Sequence, residues 1–124
     1  MGVNISTARP ARDLLRQLPL LPTQPDCSVD YGAADAALLL ALAENGEAVM
    51  SAFQHGLSAL GVILAQASPE VGSEIGSDTI EALGWFMAET ADIAAALLVL
   101  TRACRHYTAD YATARVELAP RAKF

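Results

Sequence analysis

Two pairs of acids are the residues of this chain whose type and spacing could do chemistry: Glu44-x-x-Glu47 and Glu89-x-x-Asp92. On a helix, residues i and i+3 lie on one face. Two such pairs turned toward each other would offer hard oxygen ligands to Mg²⁺, which can polarise a phosphoryl group and activate water. His55 and His106 add two groups that titrate near neutrality. Neither belongs to the Glu-x-x-His pattern of di-iron bundles, and each reads as a solvated or locally satisfied side chain. No Ser or Cys has the strand–turn–helix setting of an activated nucleophile. Arg102, Arg105, His106 and Tyr107 form a small basic and aromatic cluster that could touch phosphate, although the acids of a neighbouring helix are its simpler partners.

The spacing of the four acids resembles the ExxE…ExxD signature of the all-α MazG-like nucleotide pyrophosphohydrolases, over those two motifs and no more of the chain. The resemblance implies a Mg²⁺-dependent nucleotide hydrolase with Glu44, Glu47, Glu89 and Asp92 as metal ligands. That is the alternative reading. The leading one, built from the whole chain, is non-catalytic, with no metal site and no cofactor.

The elements that would carry these residues are helices. Hydrophobic residues make up 53% of the 124 residues and aromatic residues 6%, so the apolar mass is mainly Ala and Leu, which favour helix over strand. In the long stretch from Asp78 to Leu118, Ile80, Leu83, Met87, Ala94, Leu97, Thr101, Cys104, Thr108 and Tyr111 recur at helical spacing. A second row, Phe86, Ile93, Leu100 and Tyr107, runs beside them. Asp78 with Glu81 reads as a capping box, and the run Ile93–Leu100 has no polar residue, which calls for protein on most sides.

Before it, Tyr31–Ala67 is expected to form another helix, capped by Asp30 or Ser28. Its seam is Leu39, Leu42, Gly46, Val49, Phe53, Gly56, Leu60, Ile63 and Ala67. Asn45-Gly46 is a turn signal, but the apolar phase passes through it unbroken, which favours one helix. Ser68–Ser77, with Pro69, Gly72 and Gly76, is the connecting loop. Residues 1–29 form an arm: a short helix over Thr7–Leu18, then an extended connector imposed by Pro19, Pro22 and Pro25. Residues 30–119 are the hairpin domain and 120–124 a tail.

The net charge of −6 is unevenly placed. No Lys or Arg occurs between Gln17 and Thr101, where eleven acids fall, and all eight bases lie toward the two ends. Such a middle repels nucleic acid and anionic lipid. Unbroken apolar runs are too short for a membrane span, Cys27 and Cys104 make neither a disulfide framework nor a zinc site, and cytoplasmic residence is the expectation.

Two helices of about 37 and 40 residues, roughly 55–60 Å long, should lie antiparallel. Facing residue numbers then sum to about 146, from the loop position. Glu44 is thereby set near Arg102, Asp35 near Tyr111, Asp30 near Arg115, and Trp85 against Gly61. Their apolar faces exceed what one hairpin hides, and each large side chain left in water forfeits about 1.5–3 kcal/mol. The expected architecture is therefore all-α, a long antiparallel hairpin with a short helical arm that completes a four-helix bundle as a homodimer. Phe53, Leu57, Leu60, Phe86, Ile93, Leu97 and Leu100 would be the dimer core. Glu70, Glu74, Asp78 and Glu81 at the loop end, and Arg9, Arg12 and Arg16 on the arm, are candidate contacts to a further protein. The expected function is a small acidic regulator, chaperone or inhibitor, acting by protein–protein interaction or by charge mimicry of a nucleic acid.

Overall fold

The computed structural model describes residues 8–71 and 75–118, with the backbone alone for 68–71 and 111–118. These residues are all-helical: α1 (Pro10–Gln17), α2 (Ala36–Val71) and α3 (Ser77–Leu118), with 3-10 turns at Leu18–Leu20 and Tyr31–Ala33. α2 and α3 form the long hairpin, and α1 packs along α2.

Local chemistry sets each boundary. Pro10 occupies the first turn of α1, where its missing N–H costs nothing. Asp13 accepts from the Arg9 amide at 3.3 Å and holds the Arg12 guanidinium. These two arginines keep the Asp13 carboxyl below its ordinary pKa. The proline connector is more ordered than an extended strand. Thr23 and Val29 bridge, the Asp30 amide donates to the Pro22 carbonyl, and Cys27 takes a left-handed φ of 69° in the turn between them. Asp26 closes that turn by accepting from the amide and hydroxyl of Ser28.

The expected start of the second helix shifts. Asp30 caps only the 3-10 turn, accepting from the Ala33 amide, while Asp35 accepts from the Ala37 amide and begins α2. α2 then runs unbroken through Asn45-Gly46 and continues to Val71, past the Ala67 end assigned from Pro69. A proline has a helical φ and withholds one donor, so a helix already formed can carry it near its last turn. α3 begins at Ser77, with the Gly76 carbonyl accepting from Thr79 and Ile80. Asp78 therefore lies inside the first turn rather than at the cap, where its charge complements the helix dipole.

The core fills one half of the hairpin. Leu14, Leu21, Leu39, Leu42, Ala43, Val49, Leu97 and Cys104 are buried together, with Leu18, Val29, Tyr31, Leu38, Met50, Phe53 and Leu100 packed against them. On α3 the inward row is Thr90, Leu97, Thr101, Cys104 and Thr108. Three of its members are threonines whose hydroxyls donate to carbonyls of their own helix: Phe86, Leu98 and Cys104 respectively. Each thus buries a small side chain with no unsatisfied polar atom.

The seam assigned to α2 holds as far as Phe53 and again at Leu60 and Ala67, while Gly56 and Ile63 are exposed and the flanking Leu57 and Leu64 are half-buried. A straight helix turns through 3.6 residues, so a row spaced by three and four in strict alternation slowly rotates and neighbouring positions share the contact line.

Candidate functional site

Among the described residues the four acids do not gather into one constellation. Glu47 is engaged by Arg105, whose Nε and Nη2 donate to its two carboxylate oxygens at 3.1 and 2.9 Å. The Arg105 guanidinium holds the Glu47 carboxyl below its ordinary pKa, and Glu47 raises that of Arg105. Glu44, Glu89 and Asp92 are exposed. Among the described residues no three or more His, Cys, Asp or Glu side chains come together to hold a metal ion. His55 Nδ1 lies 2.8 Å from the Ser51 carbonyl, and His106 meets the edge of Tyr107. Both are local contacts.

The expected register holds where Gly46 meets Thr101, but the charge pair differs. Among the described residues the ion pair linking the helices is Glu47–Arg105, three residues further along each helix than Glu44–Arg102. Trp85 does not fill the space at Gly61. A Cβ at Gly61 would meet nothing within 4 Å, and Trp85 is exposed. The close approach occurs instead at Gly46, against Thr101. The pairs proposed for Tyr111 and Arg115 fall on side chains outside the described residues.

What the structure does present is uncovered apolar side chains. Ile63 (62% exposed), Trp85 (64%), Phe86 (55%), Ile93 (46%) and Val99 (69%) are bare in one chain. Leu98 and Tyr107 toward the open end, and Leu15 and Leu20 of the arm, are exposed as well. The run 93–100, expected to be wrapped, buries only Leu97 fully. Leu97 consequently belongs to the contact between α2 and α3, not to a surface free for a second copy. Phe53, Leu57, Leu60 and Leu100 are half-buried, while Phe86 and Ile93 are open.

Along the row spaced by seven on α3, Leu100 packs on the core and Tyr107 stacks on Tyr31 with ring centroids 5.6 Å apart. Burial raises the Tyr31 pKa, with the neighbouring Cys104 and Tyr107 adding to the effect. Tyr107 nonetheless stays as exposed as Phe86 and Ile93, the next two members toward the loop.

Of the charged residues expected to meet a partner, Asp78, Glu81, Arg9, Arg12 and Arg16 are exposed, with Arg12 paired to Asp13. The side chains of Glu70 and Glu74 lie outside the described residues. Thr90, absent from the seam deduced from apolar spacing, was detectable only by its place seven residues before Leu97.

The membrane expectation also changes. Ala36–Ala67 and Ser77–Asp110 are both long and apolar enough, by length and composition, to cross a bilayer. Average hydropathy over a window tolerates isolated acids that break an unbroken apolar run. Comparison with protein-family models, curated proteins and solved structures finds no match.

Proposed function

We propose that the protein is non-catalytic, resides in the cytoplasm and acts by protein–protein interaction, beginning with its own dimerisation. The observation that carries this reading is the number of large apolar side chains left bare in one chain, among them Ile63, Trp85, Phe86 and Ile93. Each such side chain gains about 1.5–3 kcal/mol on full burial, and a second hairpin laid over them makes a four-helix bundle. The acidic loop end and the basic arm supply charged contacts around it, suited to a small regulator, chaperone or inhibitor. Sedimentation from nanomolar to high micromolar concentration tests the reading. A dimer at micromolar concentration is expected; a compact, cooperatively melting monomer there would overturn it.

A second reading rests on the two long apolar helices: a hairpin seated in a bilayer, with the bases at its open end. Against it stand Glu89 and Asp92 in the middle of α3, each costing about 2.5–3.5 kcal/mol or more at a bilayer centre. Flotation with neutral and anionic vesicles separates the two, and a protein that stays with the aqueous fraction favours the dimer. The hydrolase reading loses its support from the Glu47–Arg105 pair, which occupies both oxygens of the carboxylate it would need.

A further inference from the structure

We draw no further inference here: the strongest candidate, the bare apolar surface of α2 and α3 around Ile63, Trp85, Phe86 and Ile93, carries none because nothing in the structure shows what covers it.

Discussion

Thr101 closes over Gly46: a Cβ built on that glycine would lie 2.6 Å from the Thr101 methyl carbon. The threonine cannot swing aside cheaply, because it is buried, branched at Cβ, and donates its hydroxyl to the Leu98 carbonyl at 3.1 Å. Here the two long helices are in direct contact. The turn-forming residue of Asn45-Gly46 is used for contact and not for a turn.

Gly46→Ala should therefore destabilise the fold. Alanine gains about 1 kcal/mol of helix propensity over glycine, but forcing an extra carbon into a packed seam costs typically 1–3 kcal/mol. Gly61→Ala is the control, since nothing lies within 4 Å of its Cβ position; it should stabilise by up to about 1 kcal/mol. Urea denaturation of both variants checks the contrast, and a stabilised Gly46→Ala would show that the helices are not in contact there.

The arm is part of the core, so its two adjacent leucines should behave differently. Leu14 is buried among the hairpin residues and Leu15 is exposed. Leu14→Ala is expected to cost about 2–4 kcal/mol, whereas Leu15→Ala should fall within about 0.5 kcal/mol of the parent. Equal melting temperatures for the two would mean that the arm is not docked.

The Glu47–Arg105 pair predicts a modest acid sensitivity. Arg105 depresses the Glu47 pKa in the folded chain, so the pair's contribution is fully present above the ordinary glutamate value of 4.5 and is lost as pH falls below it. Both side chains are about half exposed, and such pairs contribute about 0–1 kcal/mol. Glu47→Gln should remove a small stability increment at pH 7 and almost none at pH 3, measured by denaturation at the two values.

The thiols should report two environments. Cys27 is exposed in its turn, while Cys104 is buried and its pKa raised by that burial. A thiol reagent should modify one cysteine rapidly and the other only at the rate of local or global opening. Cys27→Gly should remove the fast phase and stabilise by about 1 kcal/mol, since its φ of 69° suits glycine. Two fast thiols would contradict the packing around Cys104.

Much of this architecture was legible from residue order alone. The alternation of three and four along Leu39, Leu42, Gly46 and Val49, and along Leu97, Thr101, Cys104 and Thr108, fixes two helices and the faces they turn inward, because helical periodicity is a local property. The continuity of α2 across Asn45-Gly46 followed from the same phase. The glycines and Pro69 placed the loop to within a few residues, since local breakers blur an end without moving the element.

Other features depend on contacts between distant residues, which no local pattern encodes. Which arginine meets which acid was decided by how long side chains reach across the seam: Gly46 meets Thr101 close to the expected register, yet the pair formed is Glu47–Arg105 and not Glu44–Arg102. That Tyr107 meets Tyr31 ring against ring required the docked position of the 3-10 turn Tyr31–Ala33. Composition showed an excess of apolar surface; only the packed chain showed which side chains carry it, because burial is a sum over neighbours that the chain brings together when it folds.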